Sequence, residues 1–151
     1  MMVERFVSAP LALSPAILGG EYSRVDLVFH GVDHSKDSYE GRVYVDAPEA
    51  DASTGRDVAS YVGSFHVFGH GGCFGDAGHC DVPQGPARAF DLRPAHQLTP
   101  HTKVVIVTDR LRSLLADRSG DSVTVTVIAV VVGDVSNEVL RFDELRLLSY
   151  Q

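Results

Sequence analysis

The stretch Ser122–Val132, SVTVTVIAVVV, decides the fold. Its first half alternates Val123, Val125 and Val127 with Thr124 and Thr126, the period-two pattern of a strand with one face turned to a core. Its second half, IAVVV, is apolar at every position, so both faces of that end are expected to be covered, by a loop or by a partner.

The same signature recurs on either side. Arg24–His30 (RVDLVFH) and Gly41–Val45 (GRVYV) read as strands bracketed by turn chemistry at Gly31–Ser38 and Asp46–Gly55. Tyr61–Phe68, Lys103–Thr108 and Val139–Leu148 are rich in valine and aromatics and read the same way. Short strands near Phe6–Ser8 and Leu11–Leu13 bring the total to about seven or eight. One short helix is predicted over Arg110–Arg118, with Asp109 as N-cap, Leu111, Leu114 and Leu115 on one face, and Gly120 as the stop. Asp81–Thr102 contains four prolines and reads as a long irregular connection. Near Asp143–Glu144 the apolar phase breaks between Phe142 and Leu145, which places a β-bulge there. Strands at this spacing, with almost no helix, give an all-β fold, an antiparallel β-sandwich, in one domain over residues 1–151.

Composition bounds the function. A chain of 151 residues with 44% hydrophobic content can bury a sizeable core, since domains of this size hide roughly 70% of their unfolded surface. Thirteen basic against twenty acidic residues give a net charge of −7 without a basic run, which argues against nucleic acid and anionic membrane as partners. No run of apolar residues is long enough for a membrane-spanning helix. At the N-terminus Glu4 stands beside Arg5, and Pro10 and Pro15 interrupt the apolar run, a poor signal peptide. The expected location is cytoplasmic, with export possible through a partner.

Chemistry-bearing side chains concentrate in Phe65–Cys80, FHVFGHGGCFGDAGHC, which holds three of seven histidines, both cysteines and five of fourteen glycines. Three readings stand open. Imidazole and thiolate suit Zn²⁺ or copper, and His70, Cys73, His79 and Cys80, with His66 in reserve, supply the donors for a mononuclear site. Alternatively Cys73 and Cys80 form a disulfide, closing a loop worth roughly 2.5 kcal/mol in the chain-entropy account. In the third reading the glycines serve backbone geometry and the cysteines are small buried hydrophobes. His66 and His70 share a face of a strand but lie about 13 Å apart at about 3.3 Å per residue, too far for one metal unless the chain bends at Gly69. Asp33, Ser35 and Asp37 read as a solvated turn, because Ser38 stands where a calcium loop needs glycine. His30 and His34 flank that turn and read as surface residues, as do His96 and His101 in the proline-rich connection.

Four segments in order, YEGRVYVDAPEA (Tyr39–Ala50), YVGSFHVFGH (Tyr61–His70), LTPHTKVVIVTDRLRSLL (Leu98–Leu115) and DSVTVTVIAVV (Asp121–Val131), resemble the C-terminal β-domain of type 3 copper proteins, the tyrosinases, polyphenol oxidases and hemocyanins. The resemblance spans about residues 22–132. It implies a jelly-roll-like sandwich without catalytic copper ligands, packed over a separate helical dicopper domain whose pocket one of its side chains plugs. On that basis the chain is expected to be a non-catalytic accessory domain or subunit that gates, stabilises or helps metallate a type 3 copper oxidase partner. Phe74 in GCFGD is the candidate plug. The Cys73–Cys80 spacing departs from the CxxC that some fungal members carry there. The alternative is an independent Zn- or Cu-binding β-sandwich protein using the loop at 65–80, and self-association is compatible with either reading.

Overall fold

In the computed structural model the described residues are 2–71, 89–90, 98–131 and 138–151. Among these residues nine strands and two helices follow in order: β1 (Met2–Val7), β2 (Leu11–Ala12), α1 (Pro15–Leu18), β3 (Arg24–Val32), β4 (Tyr39–Val45), β5 (Tyr61–Val67), β6 (His101–Ile106), α2 (Thr108–Ala116), β7 (Ser122–Val123), β8 (Val125–Val131) and β9 (Glu144–Tyr150). One sheet runs β1-β8-β4-β5 and another β6-β3-β9, while β2 and β7 form a small ribbon. All pairings are antiparallel, so the predicted all-β sandwich with a short helix is what the chain builds.

The stretch that decides the fold is the second strand of the four-stranded sheet, hydrogen-bonded on both sides. Val125, Val127, Ala129 and Val131 point into the main core, where they join Tyr39, Val43 and Val45 of β4 and Val25, Leu27 and Phe29 of β3. Burial of each valine, leucine and phenylalanine among them contributes roughly 1.5–3 kcal/mol. On the opposite face Ile128 and Val130 form a second cluster with Tyr44, Ala47 and Ala50, with Val58 and Tyr61 packed against it. The expected cover for the doubly apolar end is therefore the chain's own 46–60 connection. Tyr44 fastens it by donating to the Thr54 carbonyl at 2.9 Å, and Thr126 by donating to that of Ala47 at 2.9 Å.

Thr124 separates β7 from β8, and Asp46 holds the break. Its N–H donates to the Thr124 carbonyl at 2.9 Å, one carboxylate oxygen accepts from the Thr124 N–H at 3.0 Å, and the other pairs with Arg118. Asp46 has φ of 52°, a left-handed value that aspartate tolerates better than most residues. Asp46→Ala is expected to cost about 1–3 kcal/mol, because it leaves the Thr124 N–H without its acceptor and the Arg118 guanidinium with the Ser122 carbonyl but no carboxylate. A lowered urea midpoint at unchanged slope is the readout.

Three local expectations need correction. The helix begins at Thr108, not Arg110, and Asp109 falls inside its first turn instead of capping it. The start is set by Thr108, whose hydroxyl accepts from the Val25 N–H at 3.0 Å and ties the helix to β3, while Leu111 is fully buried beneath it. A second, short helix joins the single one expected, and Pro15 begins it. The proline occupies the first turn of α1, with the Ser14 hydroxyl accepting from the Ile17 N–H at 3.3 Å. The bulge read at Asp143–Glu144 lies on the neighbouring strand. β9 pairs with β3 without a break from Tyr150 to Glu144, whereas β3 carries an extra residue between Phe29 and Val32. Gly31 sits there at φ of 68°, and a Cβ on it would run into the Asp143 carboxylate. The phase break seen around Asp143 is the imprint of that bulge across the sheet.

Candidate functional site

The bulge positions the one histidine cluster of the described residues. Before it, Val25, Leu27 and Phe29 alternate into the core, and after it the inward phase passes to Val32 and His34. His34, read from the sequence as a surface residue, is accordingly only 4% exposed. The signal was Gly31 beside a run of turn residues, but nothing in the sequence says on which side of the bulge the phase resets.

Three segments converge on His34. Its Nε2 lies 2.8 Å from the Thr99 carbonyl, which can only accept, so Nε2 carries the proton and Nδ1 presents a lone pair. That lone pair faces His70 Nδ1 at 3.1 Å, and His70 Nδ1 is also 3.3 Å from the His34 carbonyl. His101, the first residue of β6, stacks on the His34 ring with centroids 3.9 Å apart and planes 14° from parallel. Partial burial, followed by the nearby His34, Lys103 and His70, holds the His101 imidazole below its ordinary range.

His70 reaches this place because two loops approach closely. The Gly69 N–H donates to the Ser38 hydroxyl at 3.0 Å, the His70 N–H to the His34 carbonyl at 2.9 Å and the Gly71 N–H to the Lys36 carbonyl at 2.8 Å. A Cβ on Gly69 would overlap the Lys36 carbonyl and the Asp37 backbone, so only glycine fits. On the facing loop the Asp33 carboxylate accepts from the Ser35 N–H at 2.7 Å, which makes the expected turn. Burial works to raise the Asp33 carboxyl, but Ser35, Lys36 and Arg141 outweigh it and hold the group below the usual carboxylate range.

Of the site residues read from sequence, His70 enters this cluster, while His66 stands exposed on β5 opposite Glu40 in the register. Cys73, Phe74, His79 and Cys80 lie outside the described residues, as does His96. His30 ends the regular β3–β9 pairing opposite Glu144. Among the described residues no three histidine, cysteine or carboxylate side chains are grouped so as to hold a metal ion.

Two other features bear on function. A cleft of about 550 Å³ is lined by Phe6, Gly31, Asp33, Arg141, Phe142 and Asp143, among others. The outer face of the β6-β3-β9 sheet exposes Val104, Ile106, Leu148 and Tyr150, with Ile106 58% and Val104 47% accessible. Register makes these neighbours: Ile106 and Leu148 flank Asp26, and Val104 lies against Val28. Asp26 is buried in the middle of that face by a two-pronged pairing with Arg24, at 2.7 and 2.8 Å.

No protein-family model matches the sequence, and no curated protein matches it. Two solved structures of the latent form of an aurone synthase, a polyphenol oxidase, are similar over 99% of this chain. The recombinant form shares 10% identity at a TM-score of 0.46, and the form from natural source 11% at 0.49. This chain spans 24% and 25% of their lengths, about a quarter of each protein, and likeness at that level does not fix a family.

Proposed function

We propose that this sandwich is a non-catalytic accessory module of a tyrosinase-like, type 3 copper oxidase system, and that it docks on a helical dicopper domain through the outer face of β6-β3-β9. The sequence resemblance supplies the partner class. An apolar patch on that face carries the docking reading: Val104, Ile106, Leu148 and Tyr150 are exposed together, bordered by the Arg24–Asp26 and Arg146–Glu144 ion pairs on the same face. The opposite outer face is closed by the chain's own 46–60 connection, which leaves this one for a partner.

Two of the segments behind the resemblance also interlock. Gly41 of YEGRVYV and Phe65 of YVGSFHVF are cross-strand partners, and the Phe65 ring fills the space that a side chain at Gly41 would take.

Co-expression with a helical dicopper domain of the polyphenol oxidase type tests the reading. Stoichiometric co-elution is expected, with a changed diphenol oxidation rate or copper content. Ile106→Arg with Leu148→Arg is expected to abolish co-elution while the isolated chain keeps its stability within about 1 kcal/mol, as exposed substitutions do. Separate elution of the unsubstituted chain, with rate and copper content unchanged, would remove the proposal.

A further inference from the structure

We infer that His34 and His70 form a two-histidine chelate for a divalent cation of the zinc–copper(II) class, at the end of the sandwich where the 33–38 and 69–71 loops meet. The inference is independent of the docking reading above.

Geometry is the first support. The two Nδ1 atoms are 3.1 Å apart. Two imidazoles bound to one ion at about 2.0–2.1 Å place their nitrogens at this separation when the angle at the metal is about 95–100°. A linear two-coordinate ion would need them nearly 4 Å apart, so the bite suits a tetrahedral or square-based centre.

Preparation of the ligand is the second. Metal-bound histidine commonly donates its other ring N–H to a carbonyl or carboxylate, which fixes the tautomer and the ring plane. His34 has this arrangement with the Thr99 carbonyl at 2.8 Å. The ring is further held by the His101 stack, and it is almost wholly removed from solvent. Its Nδ1 lone pair therefore accepts from His70 Nδ1–H, which the His34 carbonyl also faces at 3.3 Å, so an ion enters by displacing that one shared proton. On binding, His70 coordinates through Nδ1 as its Nε2–H tautomer. The ion takes the place of the proton between the two nitrogens, and that proton passes to His70 Nε2. The remaining positions are filled by water or by an exogenous ligand.

His101 is a useful internal control. Stacked face to face with His34, it presents its ring plane and not a nitrogen to the same point, so it supports the ligand without being one.

Titration of the metal-stripped, reduced chain with Zn²⁺ by calorimetry tests the inference, with Co²⁺ absorption as a second probe. One equivalent is expected to bind at micromolar affinity. His34→Ala and His70→Ala should each weaken binding at least tenfold, and His101→Ala less than threefold. His70 lies in a loop at the surface, so His70→Ala keeps the assay meaningful should His34→Ala fold poorly. A rise in Tm with Zn²⁺ in the parent chain, absent in His70→Ala, is the matching stability readout. Binding no tighter than millimolar, or micromolar binding that survives His70→Ala, overturns the site.

Discussion

Phe65→Ala is expected to destabilise the protein by about 3–5 kcal/mol, the range for removing a buried phenylalanine from a packed core. For a chain of this length that corresponds to a fall in Tm of about 6–20 °C. The ring is 5% exposed, lies 4.8 Å from the Phe29 ring centroid and 6.1 Å from that of Tyr39, and fills the gap over Gly41. The converse substitution tests the same contact from the other side. A Cβ on Gly41 would stand 2.5 Å from Phe65 Cζ and 2.7 and 2.9 Å from its Cε atoms, and the ring has packed neighbours behind it. Gly41→Ala is therefore expected to cost about 1–3 kcal/mol through overpacking. The two effects should not add. In a Phe65→Ala background the alanine at position 41 enters the space the ring has left, and its cost should fall below about 0.5 kcal/mol. Equal costs in both backgrounds, from urea unfolding, would mean that the pair is not the interlock described.

Gly69→Ala is expected to cost about 3 kcal/mol locally and to separate His70 from His34. The obstruction is backbone on the far side, the Lys36 carbonyl and Asp37, which has no rotamer to escape into. Relief requires the 69–71 loop to lift, and with it go the hydrogen bonds from Gly69, His70 and Gly71, each worth about 1 kcal/mol. Ring ¹⁵N shifts report the event: the His34 Nδ1 resonance should move as its neighbour leaves, while that of Nε2 stays, since Thr99 is untouched. Zinc affinity should fall at least tenfold. Unchanged His34 resonances in Gly69→Ala would show that the approach of the two loops does not depend on the missing side chain.

The strands were legible because their signal is periodic and their boundaries are chemical. Val123–Val131 alternates and then turns apolar on both faces, and β8 lies in the sheet interior with both faces covered. Gly31–Ser38 and Asp46–Gly55 are rich in the residues that bend chains, and they bend there. What escaped was phase. A bulge adds one residue on one strand and shifts the pattern on whatever lies beside it, so the irregularity of β3 was read on β9. The same reset turned His34 from an apparent surface residue into a buried one. Helix entry was misplaced for a related reason: Asp109 is a good cap in isolation, but Thr108 has a tertiary partner in Val25, 83 positions away in the chain. His70 was picked out because histidine, glycine and cysteine crowd together around it. Its partner His34 is 36 positions away, and only topology brings the two together.

The cover over Ile128 and Val130 belongs to the same polypeptide as the sheet it protects, tethered at one end by β4 and at the other by β5. Its seating thus depends on an unbroken backbone between those strands. A single proteolytic nick near Asp51–Arg56 would leave every strand pairing intact and yet release the shield, baring a stripe of Tyr44, Ile128 and Val130 on a sheet interior. The colloidal behaviour of the molecule is governed there: a cleaved form would keep its fold and begin to self-associate, well before its unfolding temperature registers the damage.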